Sequence, residues 1–392
     1  MTDFSNFEEV IDRRGTNSGK WDTMDKNYNS DEMIHLGVAD MDFRSPTPIV
    51  EGFNDIIDRG VFGYTDLSDA FFDSIQRWYL KHHQMKIEKD WIVFCPRINI
   101  AASICIETYT NKGDGVILHT PAYGPLQQAI LKNEREMKSS PLLRHEDSYQ
   151  MDFEGMKALI DEKTKMMILC NPHNPTGRCW DKQEMLQIAD FCEKHNQLLF
   201  SDEIHGDILK DGVKHTSALG ITDNLNNRLI LASSPAKTFN IPGVILSYMI
   251  IPNADIRKKI VHTIDRIGMH NPTIFAVTAL EKAYTDCDDW YHTMKEYIDQ
   301  NEKYTRSFFK NHFPKLEVLK REGTYLLWID YSQYNCSEEE LEEWFINEAK
   351  VSVYMGTVFG KDGKGYIRLN IASPKILLTE AYERMRVAWH FS

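Results

Sequence analysis

The feature that most constrains the fold is a repeated alternation of short apolar runs and helical patterns between residues 90 and 251. Residues 166–170 (MMILC) are apolar at every position, which is typical of a strand buried on both faces of a sheet. Further strands are predicted at 91–95, 115–119, 198–200, 228–232 and 246–251, and helices at 98–110 and 181–195. This alternation predicts an α/β fold with a mainly parallel sheet sandwiched by helices.

The pattern changes beyond about residue 253 to two long helices, at 254–284 with a break near Asn271-Pro272 and at 290–311. The elements predicted after them are strands at 316–320, 325–330 and 366–371, a helix at 337–350 and a C-terminal helix. We therefore expect a smaller α+β domain. The predicted organisation is an N-terminal arm with part of the small domain at 1–49, a large domain at 50–285 and a small C-terminal domain at 286–392. In the large domain, a helix at 68–82 ends at His82 and His83, which we expect to face solvent.

Composition narrows the classes of function. A net charge of −13 argues against nucleic-acid binding, which needs a basic surface. Neither a membrane-spanning apolar run nor a signal peptide is expected, so we predict a cytoplasmic protein. The seven cysteines include no Cys-x-x-Cys pair, and neither a disulfide nor a metal site is expected. Small-molecule chemistry is the expected function.

Lys237 follows the predicted strand 228–232 after two serines, a proline and an alanine. Partial burial at such a position disfavours the ammonium form and makes the amine a nucleophile. The amine could then form an imine with an aldehyde such as that of pyridoxal phosphate. The alternative is a solvated loop lysine. The presence or absence of the other residues of a pyridoxal phosphate site decides between the two.

Pyridoxal phosphate chemistry needs a carboxylate at the ring nitrogen, and Asp202 directly follows a buried strand. Asn174 is a candidate donor to the phenolic oxygen, in a segment made rigid by two prolines and a glycine. His205 is a second candidate for that oxygen, and Tyr123 is a candidate to stack on the ring. Considered singly, Asp202 could instead be a turn former and His205 a structural residue.

The phosphate of the cofactor needs backbone N–H groups at a helix start, which Ile98 and Asn99 supply, with hydroxyl groups from Ser234 and Tyr64. Arg368, in the strand 366–371, could bind the carboxylate of an amino-acid substrate. Arg368 could equally belong to an internal ion pair. A metal site built from the acidic and histidine side chains of residues 202–205 would leave the lysine, the asparagine and the arginine without a role.

Several motifs in this order give the chain its resemblance to a known family, namely RGTNSGKWD at 14–22, ADMDF at 39–43, NPHNPTG at 171–177, SDEIH at 201–205 and KTFN at 237–240. With these motifs the chain resembles the fold-type I pyridoxal phosphate enzymes, in particular the cystathionine β-lyase (MalY/PatB) group of the class I/II aminotransferase superfamily. The resemblance covers nearly the whole chain.

The resemblance implies that Lys237 carries the cofactor, that Asp202 pairs with its ring nitrogen, that Asn174 binds its ring oxygen and that Tyr123 stacks on it. It also implies a homodimer with shared active sites, in which Tyr64 reaches the phosphate bound by the neighbouring subunit. The segment at Ala39 would line the substrate pocket.

The function expected from the resemblance is a carbon–sulfur β-lyase that cleaves cystathionine- or cysteine-type amino acids to pyruvate, ammonia and a thiol. The alternatives are an aminotransferase, which would use the same residues, and a MalY-like regulatory protein that binds pyridoxal phosphate. Ile245 occupies the position where aspartate-aminotransferase-like members have a phosphate-binding arginine, which favours the lyase group. Arg97 stands where many relatives have glycine, and we interpret it as a surface residue rather than an added charge near the phosphate.

Overall fold

The computed structural model of the chain describes residues 3–391. Its strands are β1 (Ile34–His35), β2 (Ile92–Cys95), β3 (Gly115–Thr120), β4 (Glu136–Pro141), β5 (Leu143–His145), β6 (Ser148–Gln150), β7 (Thr164–Cys170), β8 (Leu198–Asp202), β9 (Leu229–Ser233), β10 (Ser247–Ile250), β11 (Glu317–Val318), β12 (Leu326–Asp330), β13 (Val351–Ser352), β14 (Tyr354–Met355) and β15 (Tyr366–Asn370). Its α-helices are α1 (Ser5–Glu8), α2 (Asp22–Tyr28), α3 (Thr47–Arg59), α4 (Asp69–Trp78), α5 (Ile98–Tyr109), α6 (Gly124–Lys132), α7 (Phe153–Ala158), α8 (Lys182–Lys194), α9 (Asp223–Asn226), α10 (Pro235–Thr238), α11 (Ala254–Arg266), α12 (Ile274–Asp286), α13 (Asp288–His312), α14 (Glu338–Trp344) and α15 (Lys375–Ala388).

A seven-stranded sheet with the order β2-β10-β9-β8-β7-β3-β4 forms the centre of the molecule. Strand β10 runs antiparallel to both of its neighbours, and the pairs from β9 to β4 are all parallel. The predicted α/β fold with a mainly parallel sheet is therefore confirmed. Because β7, β8 and β9 run in one direction, their carboxyl ends meet at one edge, where open α/β sheets bind ligands.

The sheet is buried on both faces, as the apolar strand sequences require. In β7, Met166 and Ile168 pack in one apolar cluster, with residues of α5, α6 and α11, whereas Met167 and Leu169 pack in the other. Alternate residues of a strand point to opposite faces, so each face receives every second side chain. The two apolar clusters fix the positions of the central strands, and therefore of the residues at their carboxyl ends.

Two parts of the large-sheet region differ from the sequence prediction. Strand β4 was not predicted because its sequence, EMKSSP, is polar, as suits an edge strand that is mostly half-buried or exposed. The expectation that His82 and His83 face solvent is wrong. The Nε2 atom of His82 lies 2.8 Å from Asp288, and that of His83 lies 2.8 Å from Asp207. Both histidines lie in a π-helical turn that continues α4, and both are half-buried.

A second, antiparallel sheet has the order β11-β12-β15-β14. Strand β1, near the N-terminus, pairs in parallel with β13, which joins the first part of the chain to the last. The long predicted helix at 254–284 is two helices, α11 and α12, separated at the predicted Asn271-Pro272 break. The proposed domain boundaries stay a prediction. Within residues 3–391, no helix has the length and apolar character needed to cross a membrane.

Candidate active site

A cavity of about 260 Å³ lies at the carboxyl ends of the parallel strands. The residues that line it are Ala39, Pro96, Arg97, Ile98, Asn99, Tyr123, Pro125, Cys170, Asn174, Asp202, Ile204, His205, Ser234, Ala236, Lys237, Pro242, Ile245, Leu246 and Ser247. Nearly all predicted site residues are therefore brought together. A larger cavity of about 910 Å³ lies between the N-terminal arm and α15, but charges of both signs line it, and none of the predicted site residues does.

Lys237 lies in the short helix α10, directly after β9. Ser234 caps this helix, since its Oγ accepts a 3.0 Å hydrogen bond from the N–H of Ala236. The Nζ of Lys237 donates to the carbonyl of Ala39 across the cavity. Burial lowers the pKa of Lys237 to about 8, an effect that the positive charge of Arg368 reinforces and that nearby carboxylates oppose. The amine therefore loses its proton far more readily than a solvated lysine, whose pKa is about 10.4.

Asp207 supports the helix that carries Lys237, and sequence reasoning did not identify it. Its buried carboxylate accepts a 2.8 Å hydrogen bond from the Oγ1 of Thr238, the residue after the lysine. The other carboxylate oxygen accepts from Nε1 of Trp78 at 3.1 Å and from Nε2 of His83 at 2.8 Å. Burial alone raises the pKa of Asp207, but these hydrogen bonds outweigh it and lower the pKa.

Asp202 is the last residue of β8 and is only 4% exposed. One carboxylate oxygen accepts a 3.1 Å hydrogen bond from the N–H of Ile204, and no ion pair reaches either oxygen within residues 3–391. Burial raises the pKa of Asp202 to about 7. A buried carboxylate without a cation is costly, so this position is suited to a ligand that brings a positive charge.

His205 is 2% exposed, and its Nδ1 is buried without a hydrogen-bond partner in the described chain. Burial, together with the nearby positive charges of Lys237 and Arg368, holds the pKa of His205 well below its usual range. The imidazole is therefore neutral, and His205 lines the cavity.

Arg368, in β15, meets Asn174 at the edge of the cavity. The guanidinium donates hydrogen bonds of 2.8 Å to Oδ1 of Asn174 and 2.7 Å to the carbonyl of Gly37, and its Nε has no partner in the part of the chain that the structure describes. No carboxylate pairs with Arg368 there, so the alternative of an internal ion pair is wrong. The rings of Tyr354 and Phe359 lie 5.0 and 4.7 Å from the guanidinium carbon.

The segment at Ala39 is held in the cavity by two asparagines. Asn240, three residues after Lys237, donates from Nδ2 to the carbonyls of Met41 and Phe43. Asn370, from the second sheet, donates to the carbonyls of Val38 and Asp40.

The carbonyl of Ala39 also accepts a 2.9 Å hydrogen bond from the hydroxyl of Tyr325. This tyrosine is a contact that the sequence did not reveal, because no local pattern distinguishes it from the other residues of an apolar strand.

The start of helix α5 forms another wall of the cavity, through Ile98 and Asn99. Tyr123 is half-buried at the start of α6 and also lines the cavity. Arg97, interpreted from the sequence as a surface residue, is exposed and lines the cavity as well. Tyr64 does not line this cavity, and its side chain is fully exposed in the single chain. The predicted role of Tyr64 in a neighbouring subunit stays a prediction.

The residues present fit pyridoxal phosphate. The unpaired carboxylate of Asp202 suits a protonated ring nitrogen, and His205, whose Nδ1 has no hydrogen-bond partner within the described chain, lines the same cavity as the half-buried Lys237. The free N–H groups at the start of α5 suit a phosphate. Each of these groups lacks, within the described chain, the kind of partner that the cofactor supplies.

Comparison with known proteins gives a consistent result. Residues 31–385 match the family model described as aminotransferase class I and II. The chain is 34% identical to cystathionine beta-lyase PatB of Bacillus subtilis strain 168, over 98% of this chain and 99% of PatB. It is 31% identical to protein MalY of Escherichia coli strain K12, over 94% and 95% of the two chains.

A solved structure is similar over nearly the whole chain as well. Cystalysin from Treponema denticola, in a crystal structure that contains pyridoxal 5'-phosphate, superposes with a TM-score of 0.95 and 34% identity. The match covers 97% of this chain and 98% of cystalysin. The predicted resemblance to the cystathionine β-lyase group is therefore confirmed.

Proposed function

Because this chain belongs to the class I and II aminotransferase family, we propose that it is a pyridoxal phosphate-dependent carbon–sulfur β-lyase. Its substrates are cystathionine- or cysteine-type amino acids, and its products are pyruvate, ammonia and a thiol. The observation that carries this proposal is the similarity to the cystathionine beta-lyase PatB over almost the full length of both chains. The cavity around Lys237 supplies the parts that the reaction needs.

Arg368 is the proposed anchor for the α-carboxylate of the substrate. Its guanidinium is buried, and burial lowers its pKa to about 10, so it stays charged at neutral pH. Asn174 fixes the orientation of the guanidinium through their hydrogen bond, and the buried Nε has no partner within residues 3–391. A carboxylate held here brings the α-carbon of the substrate toward Lys237.

Lys237 is the proposed general base. Pyridoxal phosphate, when bound, supplies a conjugated ring that accepts the electron pair released at the α-carbon. The amine of Lys237, with its lowered pKa, accepts the α-proton. Asp202 keeps the ring nitrogen protonated, and Tyr123 packs against the ring. Loss of the β-sulfur as a thiol and addition of water then give pyruvate and ammonia.

The apolar side chain of Ile245 favours a lyase over an aspartate-type aminotransferase. It lies eight residues after Lys237 and lines the cavity, so the position where aspartate-aminotransferase-like members place a phosphate-binding arginine is apolar here. Phosphate binding in this protein is then left to other groups, among them Ser234, the start of α5 and a residue from outside the chain.

We propose a homodimer in which Tyr64 of each subunit reaches the phosphate in the other. The segment around Tyr64 exposes a run of large apolar side chains, with Val61 74%, Phe62 61% and Tyr64 103% exposed. Contiguous exposed apolar groups are typical of interaction sites. Tyr64→Phe should weaken cofactor binding without changing the molecular mass measured by light scattering, and an unchanged cofactor affinity would contradict the shared site.

A cytoplasmic location is part of the proposal. All seven cysteines are free, and six of them are buried. Unpaired thiols in this number are typical of a reducing compartment.

The experiment that tests the function is an assay of the purified holoenzyme with L-cystathionine and no keto acid. Continuous release of thiol and pyruvate in equal amounts supports the lyase. Turnover only after addition of a keto acid, with conversion of the cofactor to its pyridoxamine form, would make the protein an aminotransferase. Binding of L-cystathionine without any product would leave a regulatory role.

A further inference from the structure

Arg97 lines the cavity of the candidate active site, and its side chain has no hydrogen-bond or ion-pair partner within residues 3–391. Of the arginines in residues 3–391, only Arg59 and Arg97 have side chains with no hydrogen bond, ion pair or cation–π contact. Arg59 lies on the surface at the end of α3, whereas Arg97 lines the cavity that contains Lys237. The chain carries a net charge of −13, so carboxylates are abundant, yet no carboxylate of residues 3–391 forms an ion pair with Arg97.

The other cations at this cavity are already engaged. Lys237 donates to the carbonyl of Ala39, and Arg368 donates to Asn174 and Gly37. Within the part of the chain that the structure describes, Arg97 is therefore the cavity-lining cation whose side chain has no hydrogen-bond partner.

The surroundings of Arg97 add to the positive potential. Arg97 is the residue that precedes helix α5, and the first turn of that helix contains no acidic residue. The N-terminus of a helix carries a partial positive charge, so the guanidinium and the helix attract the same kind of ligand.

We propose that Arg97 forms an anion subsite of this cavity, which binds an oxyanion of a small ligand. This inference rests on the proposed function, which makes two oxyanions available at the cavity. One is the phosphate of the cofactor. The other is a second carboxylate on the part of the substrate that leaves with sulfur, as in the distal half of L-cystathionine. In the second case, Arg97 makes the enzyme selective for substrates in which the fragment that leaves with sulfur carries a carboxylate.

The test for the substrate carboxylate uses two ligands of nearly equal shape, S-(2-carboxyethyl)-L-cysteine and S-(2-carbamoylethyl)-L-cysteine, which differ only in charge. Their dissociation constants are read from the initial change in cofactor absorbance on rapid mixing with the holoenzyme, before cleavage, with wild type, Arg97→Gln, Arg97→Lys and the control Arg59→Gln. If the carboxylate is the ligand, the preference for the carboxyethyl compound falls about tenfold in Arg97→Gln. Arg97→Lys restores part of it, and Arg59→Gln keeps it.

The test for the phosphate is equilibrium dialysis of the same holoenzymes. If the phosphate is the ligand, the dissociation constant of pyridoxal phosphate rises about tenfold in Arg97→Gln, and the preference between the two cysteine derivatives stays as in wild type. If both quantities match those of Arg59→Gln, the proposal is overturned. It is also overturned if Arg97→Gln changes only the monomer–dimer equilibrium, because Arg97 is then a subunit contact.

These measurements separate the inference from the proposed function. Absorbance reports binding whether or not the carbon–sulfur bond breaks. If wild type releases no thiol from either compound, the lyase proposal fails, while the ratio of dissociation constants still decides the role of Arg97.

Discussion

The guanidinium of Arg368 donates a 2.8 Å hydrogen bond to the Oδ1 of Asn174. The two residues come from different sheets, since Arg368 lies in β15 and Asn174 follows β7 of the seven-stranded sheet. This bond joins the proposed substrate anchor to the proposed cofactor site, so the position of one depends on the other. Both side chains are buried, at 1% and 4% exposure, which makes the bond insensitive to competition from water.

Replacement of Arg368 by lysine should weaken substrate binding. Lysine keeps the positive charge but cannot donate two parallel hydrogen bonds to a carboxylate. The expected loss is about 2 kcal/mol in kcat/KM, which is about thirtyfold. Steady-state thiol release measures it, with the exposed Arg386→Lys as the control. A value of kcat/KM within twofold of wild type would contradict the role of Arg368.

Replacement of Asp202 by asparagine should lower activity at least about a hundredfold, because a buried ion pair with the ring nitrogen would lose one partner. The protein should still fold and bind the cofactor, since the amide oxygen of the new side chain can still accept from the N–H of Ile204. Activity and cofactor content are measured on the same sample. Full activity with bound cofactor would show that Asp202 does not pair with the ring.

Replacement of Asp207 by asparagine should destabilise the protein by about 3 kcal/mol. The carboxylate accepts from Trp78, His83 and Thr238, and an amide group offers only one acceptor oxygen to these three donors. Urea unfolding measures the change in the free energy of unfolding, with the exposed Asp211→Asn as the control. Equal stabilities of the two variants would contradict the account of Asp207.

The attachment of pyridoxal phosphate to cofactor-free protein should depend on pH through Lys237. Only the neutral amine reacts, and burial lowers the pKa of Lys237 to about 8. The rate of attachment should therefore rise with pH up to about 8 and level off above it. Arg368→Gln should shift this rise to higher pH, because the charge of Arg368 lowers the pKa of the lysine. Stopped-flow absorbance measures the rate, and a rise that continues to pH 10 would show that the lysine is unperturbed.

The sequence was sufficient to predict six of the seven strands of the central sheet and most of the cavity. Residues 166–170 of β7 are apolar without interruption, and Lys237, Asp202 and Asn174 each lie at or shortly after the end of a buried strand. Because parallel strands end at one edge, residues in these positions necessarily come together.

Other parts of the site depend on contacts that no local pattern encodes. Tyr325 reaches the carbonyl of Ala39 from another sheet, and Asp207 reaches Thr238 from a loop. Strand β4 has a polar sequence, and its pairing with β3 shows only in the folded sheet. His82 and His83 contact Asp288 and Asp207, which lie far from them along the chain.

The most direct test of the central claim compares wild type with Lys237→Ala in the assay with L-cystathionine and no keto acid. The account predicts equal and continuous formation of thiol and pyruvate by wild type. It predicts a loss of at least about a thousandfold in Lys237→Ala, since the variant lacks both the cofactor attachment and the base. Wild-type rates in Lys237→Ala, or no pyruvate from wild type in the absence of a keto acid, would contradict it.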